Sequence, residues 1–336
     1  MGNQFSQMFP PAPTFTEDSL PDLKDKVFIV TGASAGIGKD LARILYSRNG
    51  TVYAAARSSE KSTAALAWIK EQHPSSAGKL THLHLDLNDL EGIKPSVENF
   101  LAQESRLDVL INNAGVMLTP QGSKTKQGYE QQLGTNCVAP FLFTKLLTPL
   151  LVATAKKESA GSVRVVWVSS AAAHVGAPKG GVDMQNLDYK KDAGAPTKYS
   201  VSKAGNVLHA TEFQRRYGGE GVVSVSLNPR NVGTDLTRYT PKWLKLIFLL
   251  ILYPPVYGAY TELFAALAPE AAKLKESEWI VPWGRVVGLR QDYYSEQGKE
   301  NAKAFWEWSE QQVNGMREIW KDATKVCLGR QFFERF

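Results

Sequence analysis

The sequence predicts an α/β protein, a doubly wound parallel sheet of about seven strands in a single domain. Three observations predict it. Short runs rich in Val, Ile and Leu recur along the chain, as strands buried on both faces require. Segments of helical length separate these runs, and repeated strand–helix alternation puts helices on both faces of a parallel sheet. The first run breaks into a glycine-rich turn directly before a helical segment, an arrangement that presents free backbone N–H groups to an anion.

The seven runs are residues 26–32 (KVFIVTG), 51–57 (TVYAAAR), 80–87 (LTHLHLDL), 108–115 (DVLINNAG), 162–170 (SVRVVWVSS), 222–229 (VVSVSLNP) and 278–284 (EWIVPWG). Helical stretches such as 37–47 and 91–104 lie between them. Residues 1–24 are proline-rich and aperiodic and read as a flexible arm, leaving 25–336 as the domain. No second domain is expected. Ligands on such sheets bind beyond the carboxyl ends of the strands.

Composition narrows the classes. The net charge of +6 comes from scattered bases without a long basic run, so nucleic acid is not an expected partner. The two cysteines, Cys137 and Cys327, have no metal-type or framework spacing, so neither a metal site nor a disulfide scaffold is expected and the cytoplasm is the simplest location. The start lacks a signal-peptide pattern. MGNQFS fits the myristoylation pattern at Gly2; the default is an unacylated start, and one acyl chain binds membrane only marginally. The run LKLIFLLILYPPVY, residues 244–257, falls short of the ~20 apolar residues of a membrane span and stops at Pro254 and Pro255. A buried or pocket-lining helix is expected there and no transmembrane segment.

The turn TGASAGIG places Gly32, Gly36 and Gly38 where a dinucleotide pyrophosphate is the expected guest. An acid at the end of the second strand would bind the ribose of NAD. Ala56 and Arg57 stand there instead. A guanidinium pairs with phosphate, so NADP is favoured, a solvated arginine being the plainer reading. Further on, Tyr199 and Lys203 in YSVSK share one face of a helix running to about Tyr217. An ammonium near a phenol lowers its pKa from ~10, so the pair reads either as a tuned proton donor or as a surface pair.

With these motifs in order, residues 25–236 resemble the short-chain dehydrogenase/reductase family, in its single-domain branch, a Rossmann-like fold. TGASAGIG is similar to the family's cofactor turn, residues 85–87 (LDL) to its adenine contact, residues 112–115 (NNAG) to the motif after the fourth strand, and Asn136 to its helix asparagine. Ser170, Tyr199 and Lys203 complete the set. The resemblance implies a catalytic group of Ser170, Tyr199, Lys203 and Asn136. Tyr199 would exchange a proton with the substrate oxygen, and Lys203 would lower its pKa and hold the nicotinamide ribose. Ser170, the second of the serine pair and preferred to Ser169, would orient the carbonyl, and Asn136 would anchor a water linking Lys203 to solvent. NADP(H) contacts are implied for Gly32, Ser34, Gly36, Ile37, Gly38, Arg57, Asp86, Leu87, Asn113, Ala114, Gly115, Tyr199, Lys203, Val232 and Thr234. Homo-oligomers are frequent in the family.

The sequence departs from the family pattern at three places. Arg230 in NPRNVGTDL replaces a glycine, with Gly233 as a source of flexibility. Ala35 replaces a basic residue common in NADP-preferring members, leaving Arg57 with Lys39 as a second helper. Residues 171–197 lengthen the stretch between Ser170 and Tyr199 into a loop, as in retinol-dehydrogenase-like and fungal members. His174 in that loop reads as an exposed side chain, with substrate contact the alternative. Residues 236–270, which hold Trp243, Phe248, Tyr253, Tyr257 and Tyr260, fall where the family covers its substrate, and fit a lipophilic ligand or core packing equally. Phe305, Trp306 and Trp308 near the end fit core packing. The expected function is NADP-dependent interconversion of a carbonyl and an alcohol on a small lipophilic substrate, in the cell a reduction, of the kind found in fungal secondary metabolism. The alternative is an NADP-binding redox sensor without turnover, against which the four catalytic-type residues argue.

Overall fold

The structure, a computed structural model, describes residues 6–7, 9–230 and 252–318. The apolar runs form strands β1 (Val27–Thr31), β2 (Thr51–Ala56), β3 (Lys79–His84), β4 (Val109–Asn112), β5 (Arg164–Val168), β6 (Val223–Leu227) and β7 (Glu278–Val281), followed by β8 (Arg285–Gly288). They make one sheet in the order β3-β2-β1-β4-β5-β6-β7-β8. The first seven strands pair in parallel. Strand β8 returns antiparallel on β7, with Glu278 opposite Gly288. It is the element beyond the seven expected strands. Its residues alternate between half-buried and exposed, because it is an edge strand, so it lacks the continuous apolar run that marks the inner strands.

Chain order reverses between β1 and β4, which opens a crevice at their carboxyl ends. Helix α1 (Gly36–Ser47) follows β1 and buries Leu41, Ile44 and Leu45, the i, i+3, i+4 face of an amphipathic helix. Helices α2 (Ser59–Gln72) and α3 (Ile93–Leu101) follow β2 and β3. Helix α4 (Gln131–Ala155) is long and apolar enough to cross a membrane, but 83% of its apolar window is buried inside the protein, so it is a core helix. Helix α5 (Ala171–Val175) is one short turn after β5, and α6 (Ala195–Tyr217) is the 23-residue helix that carries Tyr199 and Lys203. Helix α6 starts four residues before the YSVSK motif, with Pro196 in its first turn, where the missing N–H costs nothing.

Helix α7 (Pro255–Leu267) packs beside α1 on one face of the sheet, and α8 (Glu296–Glu318) packs on α6 on the other. Phe305 and Trp306 of α8 are buried, and Trp308 stacks on Phe305 at 5.6 Å, the core packing their sequence suggested. From the proline-rich start, Leu20 and Leu23 are buried and Phe15 meets Phe264 edge to face at 5.9 Å. Gln7 accepts a hydrogen bond from Asn228 at 3.0 Å. Gly2, Cys327 and residues 231–251, with Val232, Gly233, Thr234, Trp243 and Phe248, lie outside the described residues.

Candidate active site

Beyond β1 the backbone turns through Gly32, whose φ of +72° favours glycine. Its amide donates to Ala55 at 2.7 Å. A Cβ at Gly38 would stand 2.6 Å from Asn113 Nδ2 and 2.9 Å from the Gly32 oxygen. Gly38 therefore lets α1 pack on the β4 motif and does not line the cleft itself. Asn113 donates to the Thr31 carbonyl at 2.7 Å, and the Ala114 amide donates to Thr31 Oγ1 at 2.9 Å. These bonds tie the two loops at the crevice together. No side chain caps the N-terminus of α1, which begins after an extended Ala35. Its first-turn N–H groups open towards the crevice and suit an anion.

The crevice is a cleft of about 910 Å³. Gly32, Ser34, Gly36, Ile37, Arg57, Asp86, Leu87, Asn113, Ala114, Gly115, Ser170, Tyr199 and Lys203 all line it. One end lies at β2, where Arg57, Ser58 and Lys61 form the wall. Lys61 escaped the sequence reading. It sits in the same short run as Arg57, one helical turn on, and its spacing was the available signal. Lys39, the expected second helper, stands instead 4.0 Å over the ring of Trp68 and is not part of the wall.

The other end is built from β5 and α6. The Ser170 hydroxyl caps α5 by accepting from the Ala172 amide at 3.2 Å, and it lies near enough to the Tyr199 phenol to pull its pKa down. The Ser169 hydroxyl turns the other way and donates to the Lys203 carbonyl at 2.6 Å. Lys203 Nζ lies 5.9 Å from the Tyr199 ring centre and donates to the Val168 carbonyl at 2.9 Å. Burial pushes Tyr199 up to about 12, with the Ser170 bond pulling the other way. Burial likewise pushes Lys203 down to about 8, opposed by the nearby Cys137 and Glu262. The expected lowering of the phenol by the ammonium is not found: Tyr199 is raised by its enclosure, and the group that pulls it down is Ser170.

Asn136 lies behind this corner in a π-helical turn, Gly134–Val138, inside α4. Such turns recur at functional sites. Its Oδ1 accepts from the Val116 amide at 2.8 Å, and its Nδ2 donates to the Val116 carbonyl at 3.0 Å and to Ser202 Oγ at 2.9 Å. Both ends of the side chain have protein partners, and it lies outside the cleft wall. A Cβ at Gly115 would come 3.1 Å from Asn136 Oδ1 and 3.3 Å from Lys203 Nζ, so Gly115 makes room for both.

His174 is half-buried, not exposed; its ring stacks on Trp279 at 6.0 Å and faces away from the cleft. Arg230 does line the cleft. Its φ of +70° keeps the left-handed backbone that a glycine would take freely. The guanidinium carbon lies 4.2 Å over Tyr253 and 5.8 Å from the ring centre of Trp283.

The family model for short chain dehydrogenases matches residues 26–182. A short-chain dehydrogenase/reductase from Phomopsis amygdali is 53% identical over 323 residues, covering 93% of this chain and 96% of that protein. The chain belongs to the short-chain dehydrogenase/reductase family. It is an oxidoreductase of a family that binds a nicotinamide cofactor. Among solved structures it resembles an uncharacterised protein from Mycobacterium paratuberculosis, at 29% identity and a TM-score of 0.64, covering 89% of this chain and 97% of that one. It also shares the fold of Pseudomonas aeruginosa RhlG, solved in a complex with NADP, at 22% identity and a TM-score of 0.59, covering 79% of this chain and 96% of that one.

Proposed function

We propose that this short-chain dehydrogenase/reductase reduces a carbonyl on a small lipophilic substrate to an alcohol with NADPH, and that Tyr199 is the proton donor. The observation that carries the reading is the corner where Ser170, Tyr199 and Lys203 meet at one end of the cleft. The residues also fit the dinucleotide. The uncapped first turn of α1 with Gly32, Ser34, Gly36 and Ile37 suits the pyrophosphate. Arg57 and Lys61 suit the ribose phosphate of NADP, at a wall with no carboxylate of its own except Asp86 further along. Asp86 and Leu87 are assigned to the adenine, and Asn113, Ala114 and Gly115 to the middle of the cofactor. Tyr199 and Lys203 are assigned to the nicotinamide ribose. Val232 and Thr234 complete the cofactor set on the family resemblance alone, and Gly38 acts through packing.

When bound, the nicotinamide supplies the hydride. Tyr199, held protonated by burial, gives its proton to the oxygen that becomes the alcohol. An alkoxide is a stronger base than a phenolate, so the transfer runs downhill. Ser170 donates to the same oxygen and fixes its direction. Lys203 stays largely ammonium at neutral pH and balances charge as the phenol loses its proton. Asn136 positions Val116 and the turn, and is assigned the water that links Lys203 to solvent. The residues around Leu252 to Tyr260, continuing the stretch from 236, cover the substrate. The cytoplasm stays the expected location, and a homo-oligomer is the family's frequent form.

A sensor without turnover needs only the β1–β2 half of the cleft, and no observation favours it over catalysis. The test is a panel of lipophilic carbonyls followed by loss of nicotinamide absorbance. NADPH-dependent turnover that clearly exceeds the NADH rate supports the reading. Tight NADPH binding with no turnover across the panel supports the sensor, and equal use of NADH removes the role of Arg57 and Lys61.

A further inference from the structure

Ser170, Ala172 and Val175 line the cleft. They sit on the short helix α5 or at its cap. One turn of helix has little stability of its own, and the carboxyl end of this one is short of a partner. The His174 carbonyl would take the amide of residue 178 if the helix continued, but residue 178 is proline and has none. The chain then enters the long stretch before Tyr199, with Gly180 and Gly181 in left-handed backbone. The turn that carries Ser170 is therefore held from outside its own segment.

Arg290 holds it. This residue follows β8 and does not line the cleft. Its Nη1 donates to the carbonyls of His174 at 3.0 Å and Ala177 at 3.1 Å, with that of Ala173 at 3.4 Å. Its Nη2 donates to the Pro178 carbonyl at 2.6 Å. Asp292 takes the rest of the fork, from Nε at 2.6 Å and Nη2 at 2.8 Å, and also accepts from the Gly180 amide at 2.6 Å. The Tyr293 hydroxyl adds a bond to the Ala173 carbonyl at 2.7 Å. Every N–H of the guanidinium is matched within the protein, so its work is to hold this turn. A lysine has three donors on one point and cannot span the same set.

We propose that Arg290 is a positioning residue for the reaction: with Asp292 and Tyr293 it fixes the carboxyl end of α5, and so sets the Ser170 hydroxyl at the other end of the same turn. The Ser170 cap is the link, since its hydroxyl accepts from the Ala172 amide and its carbonyl from the Ala173 amide. The kinetic consequence rests on the reductase reading, which gives Ser170 its role. The hold on α5 does not.

The test has two arms, run on the full chain with Arg290→Met and with Arg290→Lys, which keeps a cation beside Asp292 and folds should the methionine variant fail. The first arm is amide hydrogen exchange. Residues 171–181 should exchange at least about tenfold faster in either variant, while residues 199–213 of α6 stay within about twofold of the wild type. Unchanged exchange at 171–181, or an equal rise in α6, overturns the proposal. The second arm is a double-mutant cycle on the single-turnover oxidation of NADPH by 1-naphthaldehyde, or by whichever lipophilic carbonyl the wild type reduces fastest. Arg290→Lys should slow this step by about tenfold, no more than Ser170→Ala does, and should add less than about twofold in the Ser170→Ala background. The NADPH dissociation constant should stay within about twofold throughout. A full, additive loss in the Ser170→Ala background, or no loss in the wild-type background, overturns the proposal, because a general loss of order does not depend on Ser170. If the wild type turns over no carbonyl, the reductase reading falls separately, and the exchange arm still decides whether Arg290 holds the turn.

Discussion

Lys203 donates to the carbonyl oxygen of Val168 at 2.9 Å, so the ammonium of the Tyr199 motif is anchored to the end of β5. That bond fixes the charge on the same helix face as the phenol, whose pKa Ser170 pulls down. The cost is that a cation is enclosed, and its pKa falls to about 8 from 10.5.

That cost predicts a trade between stability and activity at Lys203. The folded chain binds fewer protons than the unfolded chain between pH ~8 and ~10.5, so this group makes folding stability rise with pH across that window. At pH 7 its penalty stands in full, at about 3 kcal/mol. Lys203→Met removes the penalty and loses one hydrogen bond worth about 1 kcal/mol. Asn206 still donates to Val168 at 3.1 Å. The variant should melt higher by a few degrees at pH 7, a gain that fades towards pH 10, while turnover falls by about a hundredfold or more. Unchanged melting at pH 7 would contradict the burial argument.

Glu262 on α7 is fully buried, and neither carboxyl oxygen has a hydrogen-bond partner. Burial raises its pKa well above 4.5, with the charge of Lys203 pulling it down. The folded state keeps a proton that the unfolded state sheds. The stabilising contribution is therefore full below about pH 4.5 and is lost as the pH rises towards the folded pKa. Glu262→Gln should match the wild type in acid and exceed it increasingly towards neutral pH, by about 2–4 °C in melting temperature per kcal/mol. Thermal melts at pH 4.5 and 7.5 check this.

The two adjacent serines should separate cleanly. Ser170→Ala lowers turnover by about a hundredfold, because the hydroxyl beside Tyr199 is removed, and gives up the cap bond from the Ala172 amide, worth about 1 kcal/mol. Ser169→Ala costs about 1–2 kcal/mol of stability, because a buried bond to the Lys203 carbonyl is lost, and has the smaller kinetic effect. Denaturant melts and initial rates on both variants read the difference.

Cofactor choice should follow the cleft wall. Arg57→Ala and Lys61→Ala should each weaken NADPH binding by about tenfold or more and leave NADH little changed. Lys39→Ala should do neither, since its ammonium is over Trp68. Fluorescence titration of each variant with both dinucleotides measures this.

Much of this architecture was legible because it is local. The order of apolar runs set the parallel strands, the glycine turn set the crevice, and the spacing of Tyr199 and Lys203 put both on one face of α6. What escaped depends on contacts distant in sequence. Whether Lys39 or Lys61 reaches the cleft is decided by which face of its helix each occupies and by Trp68. His174 is turned inward by Trp279, and Arg230 is held by Tyr253 and Trp283, none of them neighbours in the chain. The upward shift of Tyr199 arises from enclosure by several elements at once, which no motif spacing records.

The most direct test of the central claim is single-turnover oxidation of bound NADPH by an excess carbonyl substrate, in the wild type and Tyr199→Phe. If Tyr199 is the proton donor, Tyr199→Phe binds NADPH as the wild type does and loses the rate by about a hundredfold to ten-thousandfold. A phenylalanine variant that oxidises NADPH at the wild-type rate would contradict it.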